Sequence, residues 1–228
     1  MHVLRFNPFG QVHKGLRALL YDTALLLQHT NFTEEEEIYA AVDRVKLVTQ
    51  LFEHHAHIED SQVFPLIEPY APQIVADFEA QHQIDHALSL GLEKCLALFT
   101  ETNSPEQNRY AGNELLQSFN AFLAFNVEHM RKEETIVNEC LWLYYSDETL
   151  LKKVQEISAA IPPEENGHFV YWMLRGLATQ EIIDWYNAIK LTAPPPVFAF
   201  FCNLAETALP ARKWESVRDA LQEGALLA

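Results

Sequence analysis

Apolar residues recur at spacings of three and four along most of the chain, which is the period of an amphipathic helix. The first such stretch covers residues 12–29 and places Leu16 and Leu20 on one face. A second stretch begins at Thr33, where Thr-Glu-Glu-Glu forms a capping box with acidic residues in the first turn. It ends at Pro65 or soon after. The pattern therefore predicts two long helices in this part of the chain.

Two further long helices follow. The third is predicted from about Pro72 to Phe99. The fourth begins after Ser104, which is a good N-cap residue followed by Pro105 at the first helical position, and it reaches about Tyr145. Four long helices joined by short connections are typical of an all-α, antiparallel up-down-up-down four-helix bundle, which we take as the predicted fold.

The last third of the chain is cut into short pieces by prolines at 162–163, 194–196 and 210. Three of the four tryptophans lie in this part. We therefore predict a bundle domain over residues 1–146 and, over 147–228, a C-terminal extension of short helices packed on the bundle. The aromatic extension is also a candidate surface for a homodimer or for an unknown protein partner.

Composition limits the classes of function. The 228 residues include 16 Lys plus Arg and 32 Asp plus Glu, a net charge of −16, which argues against nucleic acid or an anionic membrane surface as a partner. Three widely spaced cysteines form no paired motif, so neither a disulfide framework nor a thiolate metal site is indicated. The first residues are too poor in apolar side chains to predict a signal peptide, and no apolar run is long enough to predict a membrane span. We expect a cytoplasmic protein.

The chemistry is concentrated in histidines and glutamates at helical spacing. Two His-x-x-x-Glu motifs and one His-x-x-x-His motif each place two side chains on one helix face, in adjacent turns. Every predicted bundle helix contributes at least one imidazole. The candidate metal ligands, in helix order, are His13, then His55 and Glu59, then His82 and His86, then His129 and Glu133.

The second and fourth helices carry the same motif 74 residues apart, so Glu133 repeats Glu59. Five imidazoles and two carboxylates in one interior are too many ionisable groups to bury without a cation, and too many for one tetrahedral zinc ion. Two metal ions bridged by the two carboxylates would use all seven groups. Imidazole suits iron, copper, nickel and zinc alike, so the ligands alone leave the metal open.

Together these motifs, with His13-Lys-Gly-Leu-Arg and Phe64-Pro65, resemble the hemerythrin-like, HHE cation-binding family over about residues 8–145. The resemblance implies a four-helix bundle with two iron ions in a non-haem centre. It implies that His13 and His55 bind one iron, that His82, His86 and His129 bind the other, and that Glu59 and Glu133 bridge them. Oxygen carriers of the family place the last carboxylate five residues after its histidine, which would select Glu134. Bacterial relatives use a spacing of four, which selects Glu133 and matches the internal repeat.

Several alternatives stay open at this point. A ferritin-like centre would use Glu-x-x-His motifs, which occur as Glu79 with His82 and as Glu165 with His168, but only the first lies in the predicted bundle. The leading functional hypothesis is binding of O₂ or NO at a di-iron centre, in a sensing, storage or iron-handling role. Repair of iron–sulfur clusters, another oxidative reaction, and a zinc-occupied interaction bundle are the alternatives. No positioned acid or substrate pocket is evident, which favours a binding protein over an enzyme.

Overall fold

A computed structural model describes residues 5–101 and 104–226, with side chains as far as residue 222. These residues form helices and connecting turns without a β-strand, which confirms the all-α class. In chain order the α-helices are α1 (Gly10–His29), α2 (Glu35–Ile58), α3 (Phe64–Ile67), α4 (Pro72–Glu101), α5 (Pro105–Lys132), α6 (Asn138–Tyr144), α7 (Asp147–Ala160), α8 (Pro163–Gly176), α9 (Thr179–Thr192), α10 (Pro195–Ala208) and α11 (Ala211–Leu226).

Two of the predicted long helices contain a π-helical segment that the sequence pattern does not predict. The segment π1 (Glu59–Val63) joins α2 to α3, and π2 (Glu133–Val137) joins α5 to α6. The two segments are 74 residues apart, so the internal repeat extends from the motif to the backbone. A π-helical turn widens the helix locally and changes the direction in which the following side chains point, and such turns occur often at functional sites.

The two predicted helix starts have different outcomes. The Ser104 N-cap is confirmed, because its hydroxyl accepts the backbone N–H of Gln107 at 3.3 Å. The capping box at Thr33 is wrong. The Thr33 hydroxyl donates to the side-chain oxygen of Asn31 at 2.8 Å, and α2 begins two residues later, at Glu35. The Thr33 side chain therefore takes part in a local turn with Asn31 and does not cap α2.

The chain divides into two compact units, the first within Met1–Gly10 and Leu19–Ala160 and the second within Gln11–Ala18 and Ile161–Ala228. In the first unit α4 packs against both α2 and α5, and the short α3 packs against α4 and α6. Contacts alone do not define domains that fold independently, so the boundary predicted after residue 146 stays a prediction. A core cluster of the first unit lies beside the π-helical segments and consists of Phe9, Val63, Phe64, Ile67, Val75, Phe78, Val137, Cys140, Leu141 and Leu150.

The second unit has a core of its own, built by α8 to α11 around the fully buried Tyr186. The Tyr186 hydroxyl donates to the backbone oxygen of Phe201 at 2.8 Å, which satisfies the polar end of the ring. Gly176 lies against the backbone of Lys14, where an added Cβ would approach the Lys14 oxygen to 2.2 Å. Among the described residues, no helix combines the length and the apolar composition that crossing a bilayer requires.

Candidate metal centre

The two π-helical segments each begin at a buried glutamate. Glu59 is the first residue of π1 and Glu133 the first residue of π2, with exposures of 2% and 0%. The histidine four residues earlier contacts the carboxylate in both cases: His55 Nε2 lies 3.1 Å from Glu59 Oε1, and His129 Nε2 lies 2.9 Å from Glu133 Oε1. The two His-x-x-x-Glu motifs therefore turn inward as the helix period predicts.

His82 of α4 meets both carboxylates. Its Nε2 atom lies 3.4 Å from Glu59 Oε2, 3.8 Å from Glu133 Oε1 and 3.1 Å from the Nε2 atom of His129. The buried imidazole nitrogens and carboxylate oxygens of three helical segments thus converge on one point. Such a mixed nitrogen and oxygen donor set suits divalent first-row transition metals.

Among the residues that the structure describes, two groups of four meet the geometry of a metal site. In each group, one ligand atom from every residue lies within 4.8 Å of the others, and all the residues are buried. Glu59 and Glu133 belong to both groups, as two bridging carboxylates would. The first group is His13, His55, Glu59 and Glu133, and the second is Glu59, His82, His129 and Glu133.

Of the seven predicted ligands, His86 is the one that neither group contains. Its side chain is 57% exposed and its Nδ1 atom lies 3.6 Å from Glu53 Oε1. The buried face of α4 explains this position: spacings of three and four run from Val75 to Leu96, and they include Asp85 and Ser89 but pass over residue 86. This stripe is visible in the sequence, and it could have identified residue 85 as the inward position.

Asp85 is buried at 4% exposure and accepts a hydrogen bond of 2.6 Å from the side-chain amide of Asn126. Burial raises the pKa of the Asp85 carboxyl, while this hydrogen bond works in the opposite direction. The interior of the first unit therefore contains this polar pair besides apolar side chains such as Leu51, Phe52 and Phe122, which are buried.

The choice between the two candidate last ligands concerns adjacent residues of π2. Glu133 is fully buried and belongs to both groups, whereas Glu134 is half-buried and belongs to neither. The arrangement of the metal-site groups thus follows the spacing of four that the internal repeat favours.

Aromatic rings pack against the imidazoles and limit their rotation. The Phe64 ring stacks on His82 at 5.4 Å between centroids, and the Phe125 ring stacks on His129 at 5.8 Å. Phe78 makes a tilted contact with His129 at 5.7 Å. The contact of Phe78 with His129 joins α4 to α5, so it depends on the packing of two helices and not on a local pattern of the sequence.

Carboxylates dominate the electrostatics around His82. Burial by itself would lower the pKa of the His82 ring, but the hydrogen bond to Asp60 and the close carboxylates of Glu133 and Glu59 outweigh burial and raise it from 6.5 to about 12. In the metal-free protein the His82 ring is therefore protonated on both nitrogens and positively charged at neutral pH. This charge partly compensates the carboxylates of Glu59 and Glu133, and a bound metal ion would replace it in that role.

Searches of curated proteins and of solved structures gave no significant match to this chain. The family model described as the hemerythrin HHE cation-binding domain matches residues 9–141, which is more than half of the chain. The matched range contains all seven predicted ligands and both π-helical segments. The chain therefore belongs to the hemerythrin HHE cation-binding domain family.

Proposed function

We propose that this protein is a non-haem di-iron protein that binds O₂ or NO in a sensing, storage or iron-handling role. In this proposal the centre is held within a four-helix bundle by His13, His55, Glu59, His82, His129 and Glu133. The observation that carries it is that two buried four-residue groups share both glutamates. One buried carboxylate could serve a single ion, but two shared carboxylates fit a bridged pair.

The chain's own residues have distinct parts in this proposal. His13 and His55 would hold one ion and His82 and His129 the other, and the shared Glu59 and Glu133 would offset the repulsion between the two cations. Ferrous ions held by these residues would supply the capacity to bind O₂ or NO. The buried side chains of Leu51, Phe52 and Phe122, in the turns that precede the ligand histidines, keep bulk water from that part of the interior.

The donor set also supports a zinc-occupied alternative, since imidazole and carboxylate bind zinc as well as iron. The deciding experiment measures the metal content of anaerobically purified full-length protein, followed by absorption spectra before and after exposure to air and to NO. We expect about two irons per chain and new charge-transfer bands on exposure to either gas. Bound zinc with no spectral response would replace the proposal with the interaction-bundle alternative, and a protein without metal would refute both.

A pair of adjacent substitutions shows whether any metal found is bound at this site. Glu133→Ala removes a fully buried group that belongs to both four-residue groups, so it should lower the metal content strongly. Glu134→Ala alters the neighbouring half-buried acid and serves as the matched control. Equal metal loss in the two variants would place the ions elsewhere or make Glu134 a ligand.

A further inference from the structure

We propose that Asp60 and Gln81 are positioning residues that hold the rings of His82 and His129 with their Nε2 atoms toward the metal ions. We further propose that Asp60, as a carboxylate, makes His82 the stronger donor of the two. The inference rests on the proposed function, because it assigns these residues a part in metal binding at that same site.

Both imidazoles have the same orientation. Their Nε2 atoms lie 3.1 Å apart and face the glutamates, with His129 Nε2 at 2.9 Å from Glu133 and His82 Nε2 at 3.4 Å from Glu59. The Nδ1 atoms therefore point away from Glu59 and Glu133. What each Nδ1 atom contacts decides which ring nitrogen keeps its lone pair for a metal.

The Nδ1 atom of His82 lies 2.7 Å from Asp60 Oδ1. An ionised carboxylate can only accept a hydrogen bond, so Nδ1 is the donor and Nε2 is left for the metal. Asp60 follows Glu59 directly within π1, so a single π-helical segment supplies both a shared carboxylate and the group that orients a ring on another helix.

The side chain that contacts the Nδ1 atom of His129 is uncharged. Its Nδ1 atom lies 3.4 Å from Gln81 Oε1, and the same oxygen lies 3.5 Å from Lys132 Nζ. Gln81 immediately precedes His82 on α4, so the helix that provides one ligand also orients the other. An amide oxygen withdraws the ring proton less than a carboxylate does, and the nearby ammonium weakens the amide oxygen further.

The difference between the two acceptors predicts unequal metal binding by the two rings. A carboxylate partner raises the basicity of a ligating imidazole, and removing such a partner typically costs about 10- to 100-fold in metal affinity. Asp60→Asn keeps the size and a hydrogen-bond acceptor but removes the charge. It should therefore weaken binding within that range, while Gln81→Glu should strengthen it.

The probe is zinc(II), which is redox-inert, titrated into the metal-free full-length protein against a chromophoric chelator. Asp77→Asn is the matched control, because Asp77 is an exposed acid of α4 that accepts a hydrogen bond from Gln73 and does not touch either ring. We expect a 10- to 100-fold loss for Asp60→Asn and less than about a twofold change for the control. Wild-type affinity in a folded Asp60→Asn variant would overturn the inference.

Nitrogen-15 NMR of the imidazoles supplies a readout that a purely structural role would not change. The metal-free wild type should show a slowly exchanging proton on His82 Nδ1, and Asp60→Ala should lose it without losing helical content. If the wild type binds no zinc or iron, the proposed function fails, yet the Nδ1 signal still decides the orientation. A signal that persists in Asp60→Ala would overturn the positioning role.

Discussion

Metal binding should become tighter as pH rises, because the ions compete with a proton held on His82. The carboxylates of Asp60, Glu133 and Glu59 raise the pKa of that ring from 6.5 to about 12, against the lowering effect of burial. The metal-free protein therefore keeps this proton throughout the range from about pH 6 to about pH 8. An ion that binds to Nε2 must displace it.

The expected size of the effect follows from counting protons. One proton released per ion bound in the group of Glu59, His82, His129 and Glu133 changes the apparent affinity about tenfold per pH unit, or about 1.4 kcal/mol. Between about pH 6 and about pH 8 the affinity should thus rise about 100-fold. The proton belongs to the coupled cluster of His82 and its carboxylates, and the release is counted for the cluster as a whole.

Isothermal titration calorimetry in two buffers of different ionisation enthalpy counts the released protons, with zinc(II) as the ion. The variant His86→Ala is the control, since that ring lies outside both four-residue groups and its removal should leave the count unchanged. Binding without proton release, or an affinity that stays constant over this range, would refute the account of His82.

Three further predictions test other parts of the structure. His86→Ala should retain about two metal ions per chain by elemental analysis, because its side chain is exposed, and loss of one ion would restore its predicted role as a ligand. Asp85→Asn should raise the unfolding free energy of the metal-free protein at neutral pH. Because burial raises the pKa of Asp85, ionisation of the wild-type group costs stability as pH climbs above 3.8, so the two proteins should converge in acid; a constant difference across pH would contradict this. Gly112→Ala should destabilise the protein by about 1–3 kcal/mol in chemical denaturation, since its Cβ would lie 2.3 Å from the Phe32 ring. Gly91→Ala has open space around the new methyl group and should stabilise by about 0.5–1 kcal/mol, so equal effects would argue against the packing.

The parts of the site that sequence could predict are those fixed by geometry within one helix. A spacing of four residues puts His55 beside Glu59 and His129 beside Glu133 whatever the rest of the chain does, and both contacts are present at 3.1 and 2.9 Å. The all-α class followed for the same reason, because the hydrophobic period is a local property. The match to the hemerythrin HHE family confirms the resemblance drawn from these motifs.

The parts that sequence could not predict depend on packing between helices. On α4 a spacing of four suggested His86, while the packed face follows alternating steps of three and four and brings Asp85 inside. The residues that contact the Nδ1 atoms of His82 and His129 could not be predicted for the same reason. In the sequence, Asp60 and Gln81 have the pattern of helix-surface residues. Their contacts with His82 and His129 form only because π1, α4 and α5 pack against one another.

The π-helical segments connect the geometry within one helix to the packing between helices. Each begins at a glutamate of the repeated motif, and the core residues Val63 and Phe64 follow the first of them directly. Within π1, Glu59 lies in the metal-site cluster, Asp60 lies against the Nδ1 atom of His82, and Val63 lies in the apolar core. We therefore expect the repeat of 74 residues to reflect a demand of the site on the backbone, since the same widening occurs at both shared glutamates.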